Sequence, residues 1–559
     1  MNIKEQISKC IEFNFTDLNV DIENLIIESV SADKGDYSLP CFSFAKLLRD
    51  NPMNIANKIK DSVGLGGIVE KCEVVAGYVN FFLNKEYVAK EILNNFSVDN
   101  LKFSDGKGQI VCIDYGSPNL AKYLHIGHLK TLIVGESLSR VFEQFGYTVK
   151  RLNFVGDYGT PFGKIIGGMK RWGSLEDVKV RGNDALQDYY VKFNAAEAEN
   201  PELSQEARDI FKKIEEKDAE IYPIYELIIK IALEDANNMF DILGVTFDDY
   251  RGEMFYNNDV PNAIQILEDK NLLVESQNAK IVDLEKHDLT PAVIIKSDGT
   301  TLYVTRDIAA ALDRHNAYNF NKLLYVTDVA QKLHFQQLFK VVELMGNDFA
   351  KNMEHIAYGR FSLPDGKISS RRGKQAVLVD LMEYVNSKAR DVIKDRKFEI
   401  ESPENVVKKV VRAVLNYSVL KVERIKDCVF DIEQAFSFEG ETAPYMLYTF
   451  TRLESILRKY ENVDVVADYS CFNQEAFEII KAINDFESTM RISLEKRDTS
   501  LIGKRVMDMC KLFNKFYTST KVLDGNSQTT KAKVRLVAAL RDTLAVGFNL
   551  ICIDTLREM

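Results

Sequence analysis

Gln109 to Asp114 is a short apolar run, and behind it Leu129, Leu132, Ile133, Leu138, Val141, Phe142 and Phe145 recur at helical spacing until Gly146. Val149 to Val155 then reads as a second strand. Strand, helix and strand predict a βαβ unit of the kind that builds parallel nucleotide-binding sheets. A second run follows later: strand Leu302 to Val304, helix from Asp307, strand Leu323 to Val326 and helix Lys332 to Met345. Between the two halves, about Gly168 to Pro291, lies a stretch rich in Glu, Lys and Ala with helical patterning over Asp184 to Phe193 and Pro201 to Leu243. The expected sheet is therefore parallel and split by a helical insertion. Residues 1 to about 95 read as a small mixed module, helix-like at both ends of 41 to 63 and then alternating as strands around Lys71 to Leu83. Asn95 to Gly108 is polar and reads as a linker; from about Arg390 onward helix follows helix. Three domains are expected: a small α+β module over 1–95, an α/β domain over 96–400 with its insertion at about 168–291, and an all-α domain over 401–559.

Composition narrows the class. The 559 residues are 46% hydrophobic and 28% charged, with 11 Pro and 29 Gly, as in an ordinary folded protein. The polar start MNIKEQISKC lacks the apolar core of a secretory signal, and no apolar run is long enough to span a bilayer, so a cytoplasmic address is expected by elimination. The 8 cysteines include no C-x-x-C pair, and no metal site is expected. A net charge of -11 excludes indiscriminate coating of nucleic acid, but a local basic stripe can coexist with an acidic whole. Lys408, Lys409, Arg412, Lys421, Arg424 and Lys426 form one candidate stripe, and Lys531, Lys533, Arg535 and Arg541 another; each reads equally well as a solvated helix face.

The chemistry concentrates directly after the first strand, in Ser117-Pro118-Asn119-Leu120-Ala121-Lys122-Tyr123-Leu124-His125-Ile126-Gly127-His128. A helix N-terminus there offers N–H groups and positive partial charge to a phosphate chain. Gly127 leaves room for a planar base, and His125 and His128 can donate to phosphate oxygens as charge develops. Two of only 6 histidines flanking one glycine is a pointed arrangement. Later, Gly366-Lys367-Ile368-Ser369-Ser370-Arg371-Arg372-Gly373-Lys374 forms a cationic, glycine-flanked loop that suits a triphosphate; on its own it would pass for an exposed turn.

HIGH at 125–128 and KISSR at 367–371, a KMSKS variant, resemble the two signatures of class I aminoacyl-tRNA synthetases. The resemblance runs on to the arginine enzymes of that class through SPNLAK (117–122), GDYGTPFG (156–163), SDGTTLYVTRDIAAALDR (297–314), QKLHFQQLF (331–339) and FEGETAPYMLY (438–448). It implies a Rossmann-like catalytic domain, an N-terminal domain that docks the tRNA corner, and a helical anticodon-binding domain at the C-terminus. The implied reaction joins L-arginine to tRNA(Arg) with ATP and Mg²⁺, through arginyl-adenylate and pyrophosphate. By the same resemblance Asp114, Asn119, Tyr303, Asp307 and Gln331 bind arginine. Ser117, His125, Gly127, His128, Lys367, Ser369, Ser370 and Arg371 bind ATP, and His125, His128, Lys122 and Lys367 are catalytic. A guanidinium does call for carboxylates in a bidentate arrangement, although residue type alone makes Asp307 an acid answering a helix dipole. Tyr78 and Asn80 match positions that meet the tRNA D-loop; Tyr445, Tyr448 and Met559 match the anticodon pocket.

Tyr158 and Pro161 stand where Trp and Gln are common in the family, and the tail DTLREM departs from a PERM-like ending. Some arginine enzymes lack the first lysine of the KMSKS signature and are thought to rely on the lysine of the SPN-x-AK block; this chain has both Lys122 and Lys367. Two rival readings fit less of the chain. A small nucleotidyltransferase shares the histidine turn but needs neither the KISSR loop nor a helical C-terminal domain. A binding-only paralogue has no use for intact histidines and pocket acids. A monomer is expected, as is activation of arginine only in the presence of tRNA.

Overall fold

The computed structural model describes residues 3–13, 20–29, 34–364, 377–394 and 402–557. Lys367, Ser369, Ser370, Arg371 and Met559 lie outside the described residues. Contacts gather the chain into two compact units: residues 1–101 with 449–488 and 505–545, and residues 102–448 with 489–504 and 546–559.

The larger unit is built on four parallel strands, β1 (Ile110–Asp114), β2 (Thr148–Leu152), β3 (Lys322–Asp328) and β4 (Met353–Tyr358). Their spatial order is β4-β3-β1-β2. Helix α1 (His128–Gln144) joins β1 to β2, and all seven of its apolar positions named from the sequence, Leu129 through Phe145, are buried. Helices α2 (Tyr303–Tyr318) and α3 (Lys332–Leu344) flank β3 in sequence. Their apolar faces, with Ile308, Ala311, Leu338 and Val341, meet Cys112 and Leu323 of the sheet in one core. Because β1 and β3 are neighbours whose connections depart in opposite directions, the crevice beyond their carboxyl ends is a topological switch point, where open α/β sheets bind ligands.

Two expectations fail here. No strand occupies Leu302 to Val304; Leu302 is extended, and Tyr303 already begins α2. The β-branched and aromatic run imitates a strand, but Asp298 closes a turn onto Thr300 and the helix starts early. The insertion is helical only as far as Asp269. Beyond it Leu273–Ser276, Ala279–Val282 and Ala292–Ile295 form an antiparallel sheet. Its hairpin turns on Gln277 and Asn278, both at positive φ, without the glycine that would have marked it. The helices Thr160–Trp172, Asn183–Glu199, Leu203–Glu215 and Ile221–Leu243 share a core of Phe162, Ile166, Leu186, Phe211, Ile214 and Ile228.

In the smaller unit, Ile27–Glu28, Tyr37–Pro40, Tyr78–Leu83 and Val69–Val75 pair antiparallel in that order. The segment after this sheet is not a free linker at its start, since helix Lys85–Asn95 and buried Leu101 belong to the fold. Tyr469 donates to Asn94 at 2.6 Å, and Lys85 to Gln474 at 2.5 Å, fastening the N-terminal module to the C-terminal helices of the same unit.

Most of both candidate basic stripes is spent on the fold. Lys408 pairs with Asp241 at 2.5 Å, Arg412 with Asp554 at 2.6 Å, Lys426 with Glu423 at 2.8 Å, and Lys409 donates to Thr555 O. Lys533 pairs with Asp524 at 2.6 Å and Arg541 with Glu454 at 2.8 Å, while Arg535 donates to Tyr469. No helix among the described residues is long and apolar enough to cross a membrane.

Candidate active site

A cleft of about 1180 Å³ opens at the switch point between β1 and β3. Asp114, Ser117, Asn119, His125, Gly127, His128, Tyr303, Asp307 and Gln331 all line it, although they come from four separate stretches of chain. Lys122 does not; its ammonium lies over the Tyr190 ring at 5.7 Å.

The loop after β1 is held in an uncommon conformation, with Gly116 and Ser117 at φ of 91° and 45°. Gly116 N–H donates to Thr131 Oγ1 at 3.1 Å, and Thr131 Oγ1 donates to Val326 O at 2.7 Å, so one hydroxyl of α1 staples the loop to β3. Asn119 Oδ1 accepts from Ala121 N at 3.0 Å, which leaves its NH₂ as the group offered to a ligand.

The histidine turn is more self-contained than its sequence implies. N–H groups of His128, Leu129 and Lys130 bond back to the carbonyls of His125, Ile126 and Gly127, so the first turn of α1 presents few open donors. A Cβ at Gly127 would fall 2.8 Å from the His125 ring; the room expected for a base is filled by that ring. His125 Nδ1 accepts from Gly127 N, and His128 Nδ1 accepts from His125 N, both at 3.1 Å. His125 then carries its proton on Nε2, ready to donate, whereas His128 Nδ1 also lies 3.1 Å from His125 O, a contact that either tautomer makes. Burial pushes both imidazoles below their usual range, His125 adding to the effect on His128. A neutral imidazole still offers one ring N–H to a phosphate oxygen as charge builds there.

Five acids line the cleft, Asp328 and Asp427 among them; the other three are Asp307, Asp114 and Glu253. Asp307 stands one turn along α2 from Tyr303, which is 67% exposed, and its Oδ2 lies 2.7 Å from His334 Nε2. Asp114 lines the cleft from a buried position. It is 4% exposed, and its Oδ2 lies 2.7 Å from the Arg314 guanidinium, which is itself buried. Burial raises the Asp114 carboxyl, while Arg314 holds it down. The third acid, Glu253, was not foreseen. It follows Gly252, where a Cβ would meet Val155 O at 2.4 Å, so only glycine lets this segment close on the sheet. Burial raises the Glu253 carboxyl to about 7, with Arg306 (3.6 Å away) opposing and Asp307 and Asp157 reinforcing. An acid beside a glycine was the only signal in the sequence, and it is a faint one.

Of the other positions, Tyr78 is half-buried and meets Phe42 edge-on at 5.3 Å. Asn80 is 4% exposed with Oδ1 accepting from Ser38, so it is a packed strand residue and no exposed reader of bases. Tyr445 is half-buried and Tyr448 is exposed, both on helix Ala443–Lys459.

Comparison with known proteins agrees with this geometry. Residues 91–432 match the family described as tRNA synthetases class I (R), catalytic domain. Residues 1–83 match the arginyl tRNA synthetase N terminal domain, and 446–559 the DALR anticodon binding domain. The chain is 38% identical to an arginine–tRNA ligase of Halothermothrix orenii over 100% of both chains. It is 37% identical to that of Clostridioides difficile over 98% of both. Its fold matches Thermus thermophilus arginyl-tRNA synthetase with a TM-score of 0.83 at 22% identity, covering 100% of this chain and 99% of that one. A Plasmodium falciparum arginyl-tRNA synthetase gives 0.79 at 22% identity, covering 100% and 98%. With a family match over more than half its length and relatives this similar end to end, the chain belongs to the class I arginyl-tRNA synthetases.

Proposed function

We propose that this chain activates L-arginine with ATP and transfers it to the terminal adenosine of tRNA(Arg). The observation that carries the reading is a switch-point cleft lined by His125 and His128 and by five acids, Asp114, Glu253 and Asp307 among them. In the first step the arginine carboxylate oxygen attacks the α-phosphorus of ATP; the bond to the β-phosphate breaks and pyrophosphate leaves. His125 and His128 donate Nε2–H bonds to the charge that develops. In the second step a ribose hydroxyl attacks the arginyl carbonyl and AMP departs. Asp307 and Glu253 take the guanidinium, with Tyr303 against them. Asp114 takes the α-ammonium, and Asn119 and Gln331 offer amides.

Mg²⁺ is proposed to arrive with the triphosphate, liganded chiefly by phosphate oxygens and water. Lys367, Ser369, Ser370 and Arg371 are proposed to serve the triphosphate, with Lys122 in reserve. Residues 1–95 would dock the tRNA corner through Tyr78, 96–400 would carry the chemistry, and 401–559 would bind the anticodon through Tyr445, Tyr448 and Met559. The enzyme is proposed to act as a monomer in the cytoplasm.

Pyrophosphate exchange into ATP, run with each amino acid and with or without tRNA, tests this. Exchange is expected with arginine alone among them, and only when tRNA is present. Exchange with a different amino acid, or with none, would reject the reading. In the same assay His128→Ala is expected to lower kcat about 100-fold, as loss of one preorganised donor does, with little change in the KM for arginine.

The Glu253 carboxyl predicts a pH dependence. Below about 7 it is increasingly neutral and cannot pair with a guanidinium, so kcat/KM for arginine should fall as pH drops through that value. Arg306 favours the charged form, and Asp307 and Asp157 disfavour it. Glu253→Gln should have a lower and flatter profile; a profile as steep as that of the parent would assign the titration elsewhere.

A further inference from the structure

Lys130 follows the histidine turn by two residues and is 0% exposed. Its Nζ donates to the main-chain carbonyl of Lys426 at 2.5 Å, the one polar contact it makes among the described residues. Burial pushes its ammonium down, and Cys428, Asp427, Asp328 and Asp498 act in the opposite direction. A charged group so placed makes a strong bond to a single carbonyl at the expense of solvation, which is a device for fixing position.

That carbonyl belongs to a wall of the cleft. Gly359 N bonds to Arg424 O at 3.1 Å, Arg360 N to Asp427 Oδ1 at 2.8 Å, and Cys428 N to Arg360 O at 2.7 Å. Phe361 and Ser362 pair in parallel with Cys428 and Val429. Arg360, Phe361, Ser362 and Asp427 line the cleft on this side. Farther along the chain, Val377 forms a bridge with His125, and Leu378 N bonds to Leu124 O at 2.7 Å. The chain on both sides of the Gly366 to Lys374 signature is thus fastened to the element that carries the histidines, downstream directly and upstream through Lys130. Asp307, Glu253 and Tyr303 are held from α2 and from the segment at Gly252, which this strut does not touch.

We propose that Lys130 is a positioning residue for adenylate formation: its bond to Lys426 O sets the wall of Arg360 to Ser362 and Asp427 against the helix that begins at His128, and so fixes the ATP half of the cleft. The proposal rests on the synthetase reading above. It is tested by pyrophosphate exchange with arginine and tRNA in Lys130→Met, Lys130→Arg and Asp427→Ala. Lys130→Met is expected to lower kcat about 100-fold, the penalty of a small misplacement, and to raise the KM for ATP while the KM for arginine stays constant. Lys130→Arg, which keeps a cationic donor, should recover most of the loss. Asp427 is exposed, so Asp427→Ala, which removes the acceptor for Arg360 N–H, loosens the same wall without disturbing the core, and it should also move the KM for ATP alone. The inference is overturned by wild-type kinetics in Lys130→Met, by an arginine KM that moves as far as that for ATP, or by no advantage of Arg over Met. Should Lys130→Met not fold, wild-type kinetics in Asp427→Ala overturn it. A parent enzyme that exchanges with no amino acid would instead sink the synthetase reading itself.

Discussion

Asp307→Asn is expected to lower kcat/KM for arginine on the order of 10²–10³-fold, because it removes one partner from a partly buried charge pair. His334 Nε2 at 2.7 Å fixes one carboxylate oxygen, so the other is presented to the cleft in a set orientation. Asparagine keeps the size but replaces an acceptor with an NH₂, which faces a guanidinium made only of donors. The bond to His334 can survive in this variant, and the start of α2 keeps its geometry. The loss should therefore appear in the arginine terms, with the KM for ATP unchanged. A variant that raised the KM for ATP and left that for arginine alone would remove Asp307 from the guanidinium site.

How far the sequence leads toward this site differs from residue to residue. The unit of β1, α1 and β2 is legible because the apolar spacing of Leu129 to Phe145 belongs to one buried helix face and Gly146, at φ 81°, ends it. The order β4-β3-β1-β2 is not legible, since pairing between β1 and β3 joins segments about two hundred residues apart and leaves no local trace. Local pattern misleads at Leu302 to Val304, where strand-like residues start a helix, and it is silent at Gln277 and Asn278, which turn without glycine. The acids divide in the same way. Asp307 is visible through the resemblance, since residue type alone makes it an acid answering a helix dipole, and its spacing from Tyr303 on one helix is a finding of the structure. Glu253 and the Arg314 partner of Asp114 depend on distant segments meeting, and a resemblance carries over only positions that match its motif. The basic clusters are the converse case: a run of Lys and Arg reads identically whether it faces a ligand or, as with Lys408 and Arg412, an aspartate of the same fold.

Arg314→Met should then produce the largest loss of stability, about 3–5 kcal/mol, because it leaves the Asp114 carboxylate buried without its cation. Phe154 and Tyr325 surround the guanidinium at 5.5 and 5.7 Å from their ring centroids, so little water can replace it. The sign of the pH dependence follows from burial. Without Arg314 the folded-state pKa of Asp114 rises further above its unfolded value, so the folded state binds the proton more tightly. Stability of the variant is then best retained below the unfolded pKa and is lost as pH rises through the folded one. Urea unfolding at several pH values would measure both the size and the slope. Adding Asp114→Leu to Arg314→Met should restore most of the stability, since an apolar pair replaces a buried ion pair at little or no net loss, yet it should leave arginine activation abolished. Recovery of folding without recovery of exchange would separate the two roles of Asp114, holding the floor of the cleft and meeting the substrate. Wild-type stability in Arg314→Met at neutral pH would mean that the carboxylate finds another partner, and that the ion pair does not organise the end of β1.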